Sequence, residues 1–249
     1  MQVHVDARRE VTTAAGLTLL LPDKPDVERD ALADVWERVA GGSVLRLARF
    51  WDPPALDPRS VRVYGSDAFC LVLQQKLGLE LCSPPDDLVF AVPARHLRRA
   101  VWRRTMSDAG ALTYPAFCKP VVPKLFPARV YADAGELAAE CRGLDDQTVI
   151  LVSEPVMFAA EARCFVLDGA VLDCAIYEGS TDPAGAARAA ADLLRDVTVP
   201  RAVVVDVGFI PERGWALVEF NAAWGAGLNG CRAELVWPCV AAASGSGPC

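Results

Sequence analysis

Two apolar segments near the carboxyl end, VVVDVGF (203–209) and WALVEFN (215–221), flank Pro211-Glu212-Arg213-Gly214. β-Branched and aromatic residues favour extended backbone, and Pro and Gly at the ends of a four-residue connection are good turn chemistry. The pair therefore reads as a β-hairpin. If it is symmetric about the turn, Asp206 lies directly opposite Glu219, and alternation puts Asn221 on the same face, two residues beyond Glu219. Carboxylates facing each other across a ladder repel. Apolar strands carry such a pair when a cation sits between them, or when one member reaches solvent from a strand end. Two carboxylate oxygens and an amide oxygen suit a hard divalent ion such as magnesium, and the residues favour that reading.

With 249 residues the chain has ample core for one large domain or two small ones. Its mean hydropathy is +0.24, yet no apolar run reaches the ~20 residues that cross a bilayer. The start, MQVHVDARRE, has no apolar stretch of a secretory signal. The expectation is a cytoplasmic protein with no membrane partner. A net charge of −7 argues against nucleic acid as the main partner. The basic stretch Arg95 to Arg104 is expected to be the wet face of a helix running roughly from Pro93 to Met106. Nine cysteines without a CxxC pair read mostly as buried free thiols, with Cys249 exposed on a disordered tail.

Lysine usage is skewed. Of 25 basic residues only Lys24, Lys76, Lys119 and Lys124 are lysines, and two of these fall in AFCKPVVPKLF. Lysine is a compact point charge on a slim stem and meets a phosphate end-on where the broad arginine fork does not.

Strands and helices alternate over the first 82 residues, as in a parallel α/β sheet. SPPDD (83–87) is a candidate boundary. Beyond it, strands are expected at 115–122, 128–132 and 148–156, and a hairpin over 161–178 turning at Asp168-Gly169. Helices are expected at 134–143, 183–197 and 231–243.

Several chemistries are excluded. No Gly-Lys dipeptide exists for a Walker A loop, and with only His4 and His96 a histidine triad is not supported. Gly225-Ala-Gly227-Leu-Asn-Gly230 matches G-x-G-x-x-G, but no strand and acidic residue follow ~20 positions on, as a dinucleotide fold requires. Its amides are better read as a loop opening a helix and able to hold an anion.

The ordered series FCKP, PKLF, SEPV, EAR, VVDVGF and VEFN, over about residues 60 to 243, resembles the ATP-grasp superfamily. The likeness is strongest to a clade of short members named for a shared arginine and two lysines. The resemblance implies an α/β protein: an α+β ATP-grasp core (91–243) after a small α/β domain (1–90), with 244–249 a disordered tail. It implies that Lys119 and Lys124 meet the ATP phosphates and that Ser153, Glu154, Pro155 and Val156 form the adenine hinge. Glu161 would take the ribose hydroxyls, and Arg163 would steady the transferred phosphate or a substrate carboxylate. Asp206, Glu219 and Asn221 would hold magnesium. Residues 1–60 carry no matching motif, and the phosphate loop VVPKLFPAR lacks the Gly-rich tip of larger relatives.

The implied activity is ATP- and magnesium-dependent joining of a carboxylate to an amine through an acylphosphate. A small molecule, a peptide or a protein terminus could serve as substrate. The alternative is an ATP-binding module that senses or scaffolds without ligating. Oligomeric state is not legible.

Overall fold

The computed structural model describes residues 13–245. The chain begins with a three-stranded parallel sheet, order β2-β1-β3, from β1 (Thr18–Pro22), β2 (Ser43–Leu47) and β3 (Val61–Val63). Helix α1 (Val27–Arg38) links the first two strands and α2 (Asp67–Leu77) follows the third. Both helices start at a side-chain cap, Asp26 accepting from Arg29 N–H and Ser66 from Phe69 N–H, and α2 stops at Gly78 in the left-handed region. Leu19, Leu20 and Leu21 are fully buried here.

A second, antiparallel sheet has the order β5-β8-β6-β7, from β5 (Val101–Thr105), β6 (Ala116–Pro120), β7 (Arg129–Tyr131) and β8 (Val149–Ser153). Two short elements precede it, β4 (Glu80–Leu81) and the single turn α3 (Ala94–Leu97), and α4 (Ala134–Glu140) packs against it through Leu137. The expected basic helix over 93–106 is therefore wrong. Arg98 takes a left-handed φ of 52°, which ends the helix after one turn. Val101 to Thr105 then pair with Ser153 to Val149 as an edge strand with Trp102, Arg103 and Arg104 exposed. Exposed charge on an edge strand discourages pairing with another chain, so the basic run suits an edge as well as a helix face.

The third sheet, order β10-β9-β11-β12, is built from two hairpins. The first joins β9 (Ala160–Leu167) to β10 (Ala170–Gly179) at Asp168-Gly169, both at positive φ, the expected turn. After α5 (Pro183–Leu193), the second joins β11 (Ala202–Ile210) to β12 (Gly214–Asn221). One face packs Cys164, Val166, Val203, Val205 and Val207 with Ala186, Ala190 and Leu193 of α5. The opposite face sends Phe165, Ala202 and Val204 into the core of the first sheet.

The last helix, α6 (Ala233–Ala242), returns to that core, where Trp237 meets Trp36 edge-on at 6.1 Å. Ser244 and Gly245 form a short strand, β13, against Leu81 and Glu80, where a disordered tail was expected. Ser244 Oγ accepts from Val63 N–H and is buried, which ties the strand down. Residues 246–249, Cys249 among them, lie outside the described residues. Among the described residues seven cysteines are free thiols, six of them buried, and Cys82 is disulfide-bonded. No helix among the described residues is long and apolar enough to cross a membrane.

Candidate functional site

The second hairpin pairs Ile210 with Gly214 through to Val207 with Leu217, so its loop is only Pro211-Glu212-Arg213. Were that register kept, Asp206 would face Val218, and Glu219 would point toward α5. The register instead shifts between Val207 and Asp206, leaving Val218 as the extra residue of a β-bulge. Asp206 thus stands opposite Glu219 and Val204 opposite Asn221, the pairing expected from sequence, reached through a tighter turn and a bulge. On the other side of β11, Asp206 pairs with Arg163 of β9.

These side chains form one connected network. Arg163 donates from Nε to Asp206 Oδ1 (2.9 Å) and from Nη2 to Oδ2 (2.6 Å), a two-point ion pair. Its third nitrogen, Nη1, donates to the Gly227 carbonyl (3.0 Å). The Asn221 amide nitrogen donates to Asp206 Oδ2 (2.9 Å) and Glu219 Oε1 (3.1 Å). From the second sheet, Lys119 Nζ reaches Glu219 Oε2 at 2.9 Å, bridging the two antiparallel sheets. Two cations and two carboxylates balance, as partly buried charges must.

Burial sets the electrostatics. Asp206 is 1% exposed. Desolvation pushes its carboxyl up, and although the Arg163 guanidinium pulls the other way the net shift is upward. Burial is the largest single influence on Glu219 and acts upward, but Lys119, Asn221 and Arg163 together outweigh it and the carboxyl ends below its usual range. For Arg163, burial lowers the pKa while the bonds to Asp206 raise it, and the net is a rise.

The remaining expected residues lie around this network. Glu161 shares its face of β9 with Arg163, but the two do not pair. Glu161 accepts from the Tyr177 hydroxyl, and the Tyr177 ring sits 5.8 Å from the Arg163 guanidinium. A bulge at Leu172 shifts the β10 register by one, which puts Tyr177 on that face, and a second bulge falls at Tyr177 itself. Burial, then the bond to Glu161, raises its phenol. Glu154, Pro155 and Val156 open the connection from β8 to β9, the link between the second and third sheets. The Glu154 carboxylate is engaged by Arg213 of the hairpin turn (2.8 and 3.1 Å) and by the Ala100 amide. Lys124 does not join the network; exposed and at φ 69°, it pairs with Asp67 in the first turn of α2.

The glycine loop does hold an anion, and the anion belongs to the chain itself. Glu28 of α1 accepts from the amides of Leu228 (2.8 Å) and Asn229 (2.7 Å). Sequence reasoning missed Tyr177, Arg213, Asp67 and Glu28. None of the four had a local cue: an unbulged hairpin turning at Asp168-Gly169 puts Tyr177 opposite Ala160, on the face away from Arg163.

The donor set fits a hard divalent ion. Two carboxylates and an amide lie together on one face; the Asn221 amide nitrogen now donates to both carboxylates, so the amide would turn over to offer its oxygen beside theirs to a cation. Among the described residues no group of three or more His, Cys, Asp or Glu could hold a metal, so a cation here would rest on two carboxylates and an amide.

The family model described as an ATP-grasp domain, family 2 of the clade named for an arginine and two lysines, matches residues 96–238. No curated protein matches the chain. Among solved structures, a RimK domain protein ATP-grasp from Sphaerobacter thermophilus DSM 20745 superposes with a TM-score of 0.61 at 18% identity, covering 90% of this chain and 99% of that one. The D-alanine–D-alanine ligase from Bacillus anthracis gives 0.52 at 12% identity, with 91% and 96% covered. The ATP-grasp ligase PsnB, complexed with minimal precursor, Mg and ADP, gives 0.54 at 12% identity, with 91% and 96% covered. At these identities the likeness is one of fold.

Proposed function

The chain belongs to the ATP-grasp superfamily, in the second family of its arginine-and-two-lysine clade, and from that premise we propose that it is an ATP- and magnesium-dependent carboxylate–amine ligase. The observation that carries the reading is the network Lys119–Glu219–Asn221–Asp206–Arg163, which gathers cations and carboxylates from two sheets at one place. In this reading residues 1–90 form the substrate-side domain and 91–243 the ATP-grasp domain. Structural neighbours named as ligases, PsnB among them with a precursor peptide in one structure and with minimal precursor, Mg and ADP in another, support the substrate classes considered.

Asp206, Glu219 and Asn221 would hold magnesium, which supplies positive charge to the ATP phosphates when bound. Lys119 would meet a phosphate oxygen once it leaves Glu219, and Arg163 would face the transferred phosphoryl group or a substrate carboxylate. Lys124, on the loop after β6, would swing from Asp67 to the phosphates on closure. The segment Glu154 to Val156 would border the adenine and Glu161 the ribose. A substrate carboxylate takes the γ-phosphoryl group, giving an acylphosphate and ADP. An amine then displaces phosphate, losing a proton, to form the amide. These steps need stabilised charge and aligned reactants, not a protein nucleophile.

A non-ligating ATP-binding module is the second reading, favoured by one observation: both Asp206 oxygens are already engaged by Arg163 and Asn221. Magnesium-dependent ADP release against pooled amino acids and short peptides, with mass spectrometry of products, separates the two. A condensed product formed with one ADP per bond supports the ligase. Binding of ATP–Mg with no ADP release from any acceptor would leave only the module.

A further inference from the structure

The sheet face opposite Asp206 carries a feature that the ATP reading does not use. Between α3, α5 and Trp215 of β12 lies an open hollow of about 610 Å³. Because α5 covers the face that bears Cys164, Val203 and Val205, the third sheet itself separates this hollow from the Asp206 network. Arg95 and Arg98 line it from the α3 side, Arg188 and Arg195 from α5 and the turn beyond. In a chain of net charge −7, four arginines around one hollow are a local reversal of sign.

The acids of the lining do not cancel that charge. Asp196 is bound by Arg95 (2.5 Å) and His96 (2.6 Å), and Asp192 by Arg195 (2.9 Å). Arg98 and Arg188 have no acidic partner among the described residues, and both are exposed to the hollow's mouth. Trp215 supplies an apolar wall, lying so close to α5 that a Cβ at Gly185 would come within 2.7 Å of its Nε1. Positive charge beside an indole suits an anionic ligand with some carbon surface.

Size and charge narrow the ligand class. A hollow of about 610 Å³ is in the range that takes an extended ligand rather than one phosphate. Arg98 and Arg188, the two arginines without an acidic partner, come from different elements, so the positive charge is spread along the lining, as a ligand with several carboxylates would need. We propose that this hollow docks an acidic peptide segment, a part of the substrate remote from the reacting carboxylate. Only the word substrate rests on the ligase reading; the docking itself does not.

The test is fluorescence anisotropy of fluorescein-labelled hexaglutamate with the full chain, at low salt and at about 0.15 M. The expected result is salt-weakened binding that hexalysine does not reproduce, that saturating ATP–Mg does not displace, and that weakens about tenfold or more in Arg98→Ser/Arg188→Ser. Both positions are exposed, and a thermal melt of the variant checks its fold; the single Arg188→Ser serves if the double fails. No binding, undiminished binding in the folded variant, displacement by an equal concentration of inorganic phosphate, or displacement by ATP–Mg would each overturn the proposal. Because the readout is binding, its failure is distinct from a failure to release ADP.

Discussion

Removing Arg163 isolates the most buried charge in the candidate site. Asp206 is 1% exposed and takes two of its three side-chain bonds from that guanidinium. Deleting one partner of a buried pair costs about 3–5 kcal/mol, because the other charge is left in low dielectric without a counter-ion. Asn221 still donates one bond to Asp206, so Arg163→Met is expected near the lower end, about 3 kcal/mol. Against a total stability of about 5–15 kcal/mol that is a large and easily measured loss. Urea unfolding of wild type, Arg163→Met, Asp206→Asn and the double variant gives the coupling directly. It should reach about 2 kcal/mol or more, since neutralising both partners leaves neither charge stranded. The loss should also depend on pH. The folded pKa of Asp206 is already raised and rises further without Arg163, and such a group contributes stability below its unfolded pKa of about 3.9 that is lost as pH climbs through the folded value. The deficit of Arg163→Met should therefore be small near pH 4 and grow toward neutrality. Additive single effects, or a deficit flat in pH, would refute the reasoning.

Glu219→Gln and Lys119→Met should each slow magnesium-dependent ADP release by about 10²-fold or more, measured by coupled assay on folded protein. Gly208→Ala would bring a Cβ within 2.3 Å of the Phe158 ring in the link between sheets; overpacking of about 1–3 kcal/mol is expected in urea unfolding, and a cost below about 0.5 would show that link to be loosely packed. Arg213→Met removes the main cause of the lowered Glu154 pKa. A carboxyl with a depressed folded pKa contributes stability above its unfolded value of about 4.3 that disappears as pH falls through the folded one. The wild type should thus hold a small advantage at pH 7, kept small by solvent screening, that vanishes in acid.

Much of the site was legible because alternation and pairing are local rules. Asp206 opposite Glu219 followed from alternation along a hairpin, although the turn is one residue tighter and a bulge makes up the difference; Arg163 was marked only by the resemblance, and the pairing of β9 with β11 that sets it beside Asp206 was not read from the sequence. The bulge at Val218 was not legible, since no residue type demands one, yet it is what keeps Glu219 on the Asp206 face. The run Arg95 to Arg104 misled because exposed arginines suit a helix face and an edge strand equally, and the φ of Arg98 that decides between them has no compositional mark. The contact of Lys124 with Asp67 joins the loop after β6, in the second sheet, to α2, and that of Glu28 with Leu228 and Asn229 joins α1 to the loop before α6; both link segments distant in sequence that only tertiary packing brings together.

The most direct question is whether ATP and magnesium bind together at Asp206, Glu219 and Asn221. Calorimetric titration of ATP into wild type and Glu219→Gln, with and without magnesium, measures this. The expected result is ATP binding that magnesium strengthens in wild type, with the magnesium increment lost in a variant of unchanged fold. An equal magnesium increment in both proteins, or no ATP binding by wild type, would contradict it.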